Sequence, residues 1–533
     1  MSSDASTLPL RDAPVESPQA WRRLLHGRAG TLARSDERIW LGAVCLAAIV
    51  GCSLLIVLMA ANRPSILSAT SHANYFPHWM AGPLGGLLPG LSRSSTTLKY
   101  LFSGAVVLMY ISYLLGLVYV PRLRARWAIA AVVAVHAIFF LAPPLALTDI
   151  FNYVNYGRME VVHSLNPYTS IPILEPHSDP SYDLSNWHQL LSPYGPLFTL
   201  LTFAVVPLGV AASFWVLKGV LALASLATLL LVWKCARLLG RDPVMAIVLV
   251  GLNPIVLVWG LGGDHNDFLM VLFIVLAFYL LLLTRDRLAK GKPATAAMAD
   301  AGGGEAVAAA SERSRRSPRD WLLPLCPPEI GAGAAVITAT AIKASGGVLI
   351  PIVLAAMLRS PRRLAQVALG MLIAGVVITA VSLAAFGLHI PDLSTQSRLV
   401  TNVSVPNLIG LAVGSGGETE TLHKLLSAAL VLSIVLCCVQ AARRRGPITA
   451  AGWASVALLV TLSWVLPWYV LWVLPMAALS SSRRLRVAAL VLGAYLIIAW
   501  APASGLLWNA IGFHPEKTSL GRLHQRYVKE LLN

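Results

Sequence analysis

The sequence predicts an all-α, polytopic membrane protein, and three observations lead to this fold class. Of the 533 residues, 57% are hydrophobic and only 12% are charged. The mean hydropathy is +0.70, which lies far above that of soluble globular domains. Apolar runs long enough to span a bilayer recur along the chain, with short basic clusters between them. Together these runs predict roughly 13 transmembrane helices.

The formal net charge of +17 does not indicate a nucleic-acid partner. The basic residues are concentrated between apolar runs, which is the distribution that the positive-inside rule predicts for cytoplasmic loops. The six cysteines show neither a disulfide framework nor a metal-ligand spacing. Charge therefore reports topology, and membrane lipids are the expected surroundings.

Composition divides the chain into two apolar halves with polar flanks. Residues 1–38 are rich in arginine and contain no apolar run, which predicts a cytoplasmic, partly disordered tail. Residues 39–284 form the first transmembrane half and 331–509 the second. Between them, 285–330 is rich in glycine, alanine and charge, as expected for a flexible cytoplasmic linker. Residues 510–533 are predicted to be a tail on the outer side, although this tail is basic.

A long polar loop is predicted after the third span, over residues 148–195. It opens on Asp149, directly behind an apolar run, and it is rich in aromatic residues and prolines. Its single Lys or Arg residue is Arg158, so the positive-inside rule places the loop outside. An acidic residue at a membrane surface is a candidate catalytic group. We therefore predict that residues 148–195 form a large catalytic outer loop.

A second polar group on the same side is the GGDHND turn. An apolar run leads outward to Asp264, His265, Asn266 and Asp267, and another run returns from it. Ionisable residues at the end of apolar runs are rare and are functional candidates. The bland alternative is a polar turn that is held together only by its own hydrogen bonds.

Two further apolar runs are predicted to be broken. The run at 331–358 is followed by basic residues although it should start in the cytoplasm, so two short helices broken at KASGG fit better than one crossing. The break places Lys343 at an outer or half-buried tip. A similar break is predicted at SWVLPWYVLW, residues 463–472, whose aromatic residues we interpret as an interfacial aromatic belt.

These groups suit a membrane enzyme that acts on a lipid-linked sugar. The lipid tail of such a substrate stays in the bilayer while its phosphate and sugar reach the interface. Inverting glycosyl transfer needs a carboxylate base that deprotonates the attacking hydroxyl, and cations that stabilise the departing phosphate. Asp149 fits the first role, and Lys343 or Arg158 the second. The competing interpretations are that Asp149 only caps a helix and that Arg158 only anchors to headgroups.

Five sequence blocks in order carry a family resemblance. TDIFNYVNYGR, HSLNPY, SPYGPL, LNPIVLVWGLGGDHNDFLM and the IKA of residues 342–344 together resemble the actinobacterial polyprenol-phosphate-mannose-dependent α-1,6-mannosyltransferases. That family has the C-type glycosyltransferase (GT-C) fold. The resemblance extends over most of the chain, from about Ile39 to about Trp508.

The resemblance implies a plasma-membrane enzyme of lipomannan or lipoarabinomannan-type envelope synthesis with its active site on the outer face. The implied donor is polyprenol-phosphate mannose and the implied acceptor is a lipid-anchored mannan. The family's loop aspartate falls on Asp149, and its HND block on His265, Asn266 and Asp267. Substrate contacts are also expected from four further residues: Tyr153, Arg158, Asp264 and Lys343. Asp264 stands where a small residue is expected, so the local charge differs. No DxD motif accompanies Asp149, so neither an obligatory metal nor another cofactor is expected.

Two alternatives remain open at this stage. The first alternative is another sugar donor, polyprenol-phosphate arabinose or glucose, because a sequence pattern does not report hydroxyl stereochemistry. A flippase or transporter of lipid-linked sugars is the alternative of a different class. Many transporters carry inverted repeats, and no clear internal repeat is visible here.

Overall fold

The structure is a computed structural model that describes residues 39–532 except 62–66, 68–75, 89–93, 146, 291–325 and 445. All secondary-structure elements in these residues are helices, which confirms the predicted all-α class. The expected disordered tail at 1–38 and most of the expected linker at 285–330 lie outside the described residues.

The helices follow one another in the order below. In the first half they are α1 (Ile39–Ala61), α2 (His78–Ala81), α3 (Ser95–Tyr119), α4 (Ala125–Phe140), α5 (Asp149–His163), α6 (Pro196–Val205), α7 (Val210–Leu238), α8 (Pro243–Gly251) and α9 (Asp267–Lys290). In the second half they are α10 (Pro327–Ile342), α11 (Leu349–Met357), α12 (Pro361–Phe386), α13 (Ser394–Ser397), α14 (Val405–Ala412), α15 (Glu420–Arg444), α16 (Ile448–Thr461), α17 (Leu474–Leu479), α18 (Arg483–Trp500), α19 (Ser504–Ala510) and α20 (Ser519–Leu532).

Within the described residues, six helices are long and apolar enough to cross a membrane, namely α1, α3, α7, α9, α12 and α15. The pair α18 and α19 makes a seventh candidate, bent by 76°. Five shorter apolar helical segments add to these. The chain is therefore a multi-pass membrane protein, while the expected number of about 13 spans stays a prediction.

The two halves share one apolar core. Helices α9 and α10, which flank the predicted linker, pack against each other. One continuous cluster of buried apolar residues reaches from Leu46 to Ile497. The two predicted halves are thus parts of a single packed unit.

Both predicted helix breaks are present. Helix α10 begins at Pro327, four residues before the predicted start of the second half, and ends at Ile342. Lys343 is extended, with φ −150° and ψ 126°, and a 3₁₀ segment over Ala344–Val348 leads into α11. The second break lies between α16 and a 3₁₀ segment over Pro467–Trp472.

The predicted loop at 148–195 is wrong at its start, because residues 149–163 form helix α5. Pro143 and Pro144 follow α4 and cannot continue it, since proline lacks the N–H of the helical hydrogen bond. The carbonyl of Thr148 then accepts the backbone N–H groups of Phe151 and Asn152 and starts α5. Asp149 is consequently the first residue of a helix rather than a loop residue.

The C-terminal helix α20 packs on the segment that follows α5. The backbone N–H of Gln189 donates to the carbonyl of Leu531 at 3.0 Å. Leu531 also joins Leu190 and Leu399 in a small buried cluster. The predicted C-terminal tail therefore packs against the 148–195 segment.

Candidate active site

Asp149 and His265 lie side by side although they are 116 positions apart in the chain. The Oδ2 atom of Asp149 is 3.1 Å from Nδ1 of His265, but the two atoms are not aligned as a hydrogen bond. The side chain of Asp149 is 18% exposed, whereas that of His265 is 1% exposed. Of this pair, Asp149 is thus the group that a substrate can reach.

Helix α5 and the GGDHND turn are joined by backbone contacts. The N–H of Leu145, just before α5, donates to the carbonyl of Gly262 at 2.7 Å. Asp149 occupies the first turn of α5, where the helix macrodipole favours a carboxylate anion. A π-helical segment over Val256–Leu261 precedes the turn, and such segments often occur at functional sites.

The glycine at position 263 is required by the close packing around His265. A Cβ atom added at Gly263 would lie 2.5 Å from Nε2 of His265 and 2.3 Å from the carbonyl oxygen of Trp259. Any larger residue would displace the imidazole. The second glycine of the GGDHND block is thus part of the support of His265.

His265 also stacks on Trp468, which belongs to the second helix break. The two ring centroids are 3.5 Å apart with an interplanar angle of 7°. Both side chains are buried. The imidazole is therefore held between the indole on its face and the carboxylate of Asp149 at its edge.

Asp267 and Lys343 form the other end of the cluster. The Nζ atom of Lys343 donates to Oδ2 of Asp267 at 2.8 Å, and Nε1 of Trp472 donates to Oδ1 of the same carboxylate at 2.5 Å. Lys343 is 20% exposed and Asp267 is 1% exposed. The cation lies 4.9 Å from the ring centroid of Tyr469 and 5.5 Å from that of Trp472, so cation–π attraction adds to the ion pair.

The SPYGP turn connects the 148–195 segment to the break at Lys343. The N–H of Gly195 donates to the carbonyl of Ile342 at 3.1 Å. A Cβ atom at Gly195 would lie 2.1 Å from the carbonyl oxygen of Ala341, so only glycine permits this approach. The three predicted parts, namely the start of α5, the HND block and the KASGG break, therefore meet in space.

A buried contact between Tyr153 and Asn266 joins α5 to the HND block. The backbone N–H of Asn266 donates to the hydroxyl oxygen of Tyr153 at 3.3 Å, and Tyr153 is buried. The side-chain Nδ2 and Oδ1 of Asn266 are buried without hydrogen-bond partners, as is Nε2 of His265. Buried unpaired polar groups are uncommon, so the HND block carries donors and acceptors that the protein itself does not use.

Asp264 faces a partner that the sequence did not suggest. Its Oδ2 accepts a hydrogen bond from Nζ of Lys218 at 3.1 Å, and both side chains are almost fully buried. Asp264 has a φ of 57°, a conformation that non-glycine residues rarely adopt and that Asp tolerates better than most. Its carboxylate is thus paired inside the protein, and its contact with substrate stays a prediction.

Arg158 is not brought to the cluster. It lies nine residues after Asp149 on α5, which corresponds to about 13 Å along a helix. Its guanidinium makes a bidentate contact with Asp179, with Nε to Oδ1 at 2.9 Å and Nη2 to Oδ2 at 2.9 Å. His163 binds the same carboxylate at 2.8 Å. Arg158 is therefore held in an internal ion pair, away from the cluster in which its substrate contact was expected.

A buried carboxyl group lies close to this ion pair. Glu175 is buried, and its Oε1 accepts a hydrogen bond from Nδ2 of Asn155. Burial raises the pKa of Glu175 to about 7, and the neighbouring Asp179 acts in the same direction, while the hydrogen bond from Asn155 opposes it. For Asp179, burial also acts upward, but the hydrogen bonds from Arg158, Ser181 and His163 prevail and lower its pKa.

Sequence reasoning missed the aromatic residues of the second break. Trp468 stacks on His265, and Tyr469 and Trp472 lie beside Lys343, contacts that the expected interfacial belt did not include. The signal that could have identified them is the break itself, because a helix interrupted by proline exposes polar backbone that must be buried in protein. Lys218 was also missed, although a lysine inside an apolar span is itself a signal.

Comparison with known proteins places this site in a sequence family. Residues 37–359 match the family described as "Alpha-(1->6)-mannopyranosyltransferase, N-terminal domain". Residues 401–513 match the family described as "MptB C-terminal domain". No solved structure matches the chain.

Three curated relatives carry the same description. The chain is 27% identical over 394 residues to alpha-(1->6)-mannopyranosyltransferase A of Mycobacterium tuberculosis, which covers 68% of this chain and 67% of the relative. A second alpha-(1->6)-mannopyranosyltransferase of the same organism is 26% identical over 66% of this chain and 65% of its own length. Alpha-(1->6)-mannopyranosyltransferase A of Corynebacterium glutamicum is 27% identical over 154 residues, 27% of this chain and 30% of its own length.

The matched region spans about two thirds of the length of the two mycobacterial relatives. The first family match contains all of the residues of the cluster except the aromatic residues of the second break. These matches confirm the resemblance predicted from the sequence and, with it, the class of hexosyltransferase enzymes. The chain belongs to the alpha-(1->6)-mannopyranosyltransferase family.

Proposed function

We propose that this protein transfers mannose from polyprenol-phosphate mannose to a lipid-anchored mannan acceptor and forms an α-1,6 linkage with inversion. Family membership supports a mannosyltransferase. The finer statement rests on one observation: a partly exposed carboxylate, Asp149, adjoins the buried imidazole of His265, and Lys343 pairs with Asp267, two residues after that histidine. These are the groups that inverting transfer from a lipid phosphate requires.

Asp149 is the general base of the proposed reaction. The 6-hydroxyl oxygen of the acceptor attacks the anomeric carbon of the donor and forms the new glycosidic bond. Asp149 takes the hydroxyl proton as the oxygen attacks, because its carboxylate is the accessible member of the Asp149 and His265 pair. His265 is a positioning residue: its Nδ1 lies against Asp149, and the stacked indole of Trp468 fixes its plane.

Lys343 stabilises the leaving group. The bond between the anomeric carbon and the phosphate oxygen breaks, and its electron pair leaves with the polyprenol phosphate. An ammonium group has three N–H donors, of which Asp267 engages one. The remaining donors of Lys343 are available to the phosphate oxygens, while Asp267 and the two rings beside it hold the cation in place. The proposal involves no metal ion.

The site lies on the outer face of the plasma membrane in this proposal. The 148–195 segment has Arg158 as its only Lys or Arg residue, whereas the predicted cytoplasmic clusters are strongly basic. A polyprenol tail in the bilayer would then present its phosphate and sugar to α5 and to the break at Lys343. The unpaired side-chain amide of Asn266 lies in the same cluster.

The test is mannose transfer by the purified full-length chain in lipid nanodiscs. Labelled polyprenol-phosphate mannose and an α-1,6-linked mannoside are supplied, and the linkage of the product is determined. Asp149→Asn should lower the rate by at least about a hundredfold, which is the usual contribution of a general base. Asp183→Asn is the matched control, since Asp183 is an exposed aspartate of the same segment. Transfer at the normal rate by Asp149→Asn would refute the proposed base.

The two alternative functions give different results in the same assay. Transfer from polyprenol-phosphate arabinose or glucose, but not from the mannose donor, would assign another donor. Movement of the lipid-linked sugar across the bilayer without a new glycosidic bond would assign a flippase. Either result would overturn the proposed reaction.

A further inference from the structure

The part of the molecule next to the C-terminal helix contains a cavity that the proposed reaction does not use. Its volume is about 680 Å³, within the range of roughly 300–1,000 Å³ that is typical of small-molecule sites. Three tryptophans, Trp464, Trp500 and Trp508, line it together with Phe513. We refer to this cavity as the tryptophan groove.

Polar side chains also line the tryptophan groove. Asn402, Asn509 and Gln525 contribute amides to its lining. A side-chain amide both donates and accepts hydrogen bonds. This part of the lining therefore favours a ligand that carries hydroxyl groups.

A carbohydrate matches this lining better than a lipid tail does. A sugar ring offers an apolar C–H face that packs on an indole, and hydroxyl groups that pair with amides. A polyprenyl chain has no group that pairs with these amides. A second groove of about 750 Å³ gives the contrast, since apart from Thr379 it is lined only by apolar side chains and a glycine of α10, α11 and α12.

The wall of the tryptophan groove is rigidly built. The backbone N–H of Thr401 donates to the carbonyl of Ser463 at 2.9 Å. The hydroxyl of Ser463 donates to Oε1 of Glu418 at 2.6 Å, and His423 lies 3.0 Å from the same oxygen. Trp464, the next residue, is thereby fixed in the wall. Pre-organised walls reduce the entropy that is lost when a flexible chain binds.

One wall residue of the tryptophan groove lies close in the chain to the candidate active site. Trp464 precedes Trp468, the residue stacked on His265, by four positions, so their Cα atoms are at most about 14 Å apart. On the opposite side, Trp464 contacts Trp187 edge to face, with centroids 6.3 Å apart. The hydroxyl of Tyr156, two helical turns after Asp149, donates to the carbonyl of Leu190 beside the groove wall.

We propose that the tryptophan groove binds the mannan chain of the acceptor behind the residue that is being extended. This inference rests on the proposed function for the identity of the sugar. It assigns to residues 400–532 the task of holding an α-1,6-linked oligosaccharide while its end reaches Asp149. The protein should then favour long acceptors over short ones.

The first experiment measures binding without turnover. Full-length protein carrying Asp149→Asn is reconstituted in nanodiscs and titrated with a long α-1,6-mannooligosaccharide, and ligand-detected NMR gives the dissociation constant. Adding Trp508→Ala should weaken binding by about tenfold, as expected when one aromatic ring is removed from a binding site. Trp127→Ala is the matched control, because Trp127 is an exposed tryptophan on α4 outside the groove.

A second variant and a competitor keep the result unambiguous. Gln525→Leu replaces an exposed groove residue of α20 and should also weaken binding, even if Trp508→Ala lowers the melting temperature. Unchanged binding by both variants would overturn the proposal. Binding of polyprenyl phosphate that Trp508→Ala and Gln525→Leu both weaken would also overturn it and would assign the groove to lipid.

The second experiment separates this inference from the proposed function. In the otherwise native protein, Trp508→Ala should raise the KM of a long acceptor about tenfold and leave transfer to the mannose disaccharide unchanged. Equal effects on both acceptors would overturn the groove proposal while mannose transfer stands. Oligosaccharide binding that needs Trp508 in a protein that transfers no mannose would support the groove and overturn the proposed function.

Discussion

Lys343 donates a hydrogen bond to Asp267 at 2.8 Å and thereby joins the broken pair of α10 and α11 to the first turn of α9. The carboxylate is buried, whereas the lysine keeps a fifth of its side chain exposed. The charge of Lys343 is therefore held at the surface of the cluster by a partner below it. In the proposed reaction, this cation binds the phosphate of the lipid substrate.

Replacing Lys343 by methionine should lower kcat by about a hundredfold or more, because removal of a group that stabilises developing charge costs this much in other enzymes. Lys343→Arg should retain part of the activity, since it keeps the charge. Rates are measured in nanodiscs with polyprenol-phosphate mannose. Lys424→Met is the control, as Lys424 is 73% exposed and pairs with a surface glutamate. Equal activity of the methionine variant and the native protein would remove Lys343 from the mechanism.

His265 should act through Asp149 and not on the substrate. We expect His265→Ala to lower kcat with little change in the KM of either substrate, and to alter the pH profile of kcat. His265→Asn should recover part of kcat, because the asparagine amide offers a donor near the position of Nδ1. Steady-state kinetics across pH tests this, with the exposed His389→Asn as control. A change in KM alone would show that His265 contacts substrate directly.

The pair formed by Arg158 and Asp179 should matter for stability. Arg158→Met leaves a buried carboxylate without its bidentate partner, and breaking such a pair costs about 3 kcal/mol. The melting temperature of the detergent-solubilised protein should fall, while the KM of the donor stays the same. Arg398→Met, at an exposed arginine, should leave the melting temperature unchanged. An increased KM of the donor with an unchanged melting temperature would instead show that Arg158 contacts the donor.

The sign of the pH effect on this pair follows from the pKa of Asp179, which is lowered in the folded protein. A carboxyl group of this kind stabilises the fold above its unfolded pKa of about 3.9, and that stability is lost as the pH falls further. The melting temperature should therefore drop below about pH 4. Arg158→Met should make this acid-dependent drop smaller.

Glu175 should give the opposite dependence. Its pKa rises from the ordinary value of 4.5 to about 7 in the folded protein because it is buried, so the folded state binds more protons than the unfolded state between these values. Stability is then fully present below about pH 4.5 and is lost as the pH rises through about 7. Glu175→Gln should abolish this decline in melting temperature. The exposed Asp183→Asn should not, and persistence of the decline in Glu175→Gln would assign it to another group.

The sequence alone was sufficient for the fold class, and it predicted the main parts of the candidate site. Composition gave the membrane class, because few charged residues and long apolar runs leave no other solution for burying the backbone. Local chemistry also pointed to Asp149, the HND block and Lys343, since ionisable groups at the ends of apolar runs need a reason to be there. The two helix breaks followed from the positions of basic residues.

Only the tertiary structure decided which of these groups meet and which do not. Arg158 pairs with Asp179, and Asp264 pairs with Lys218. The partners are 21 and 46 positions apart, so tertiary packing determines which residues pair. In the same way, Trp468 and Trp472 are brought from the second break to His265 and Asp267. Hydrophobic periodicity reports which face of a helix is buried, but the neighbour it is buried against depends on how all of the helices pack together.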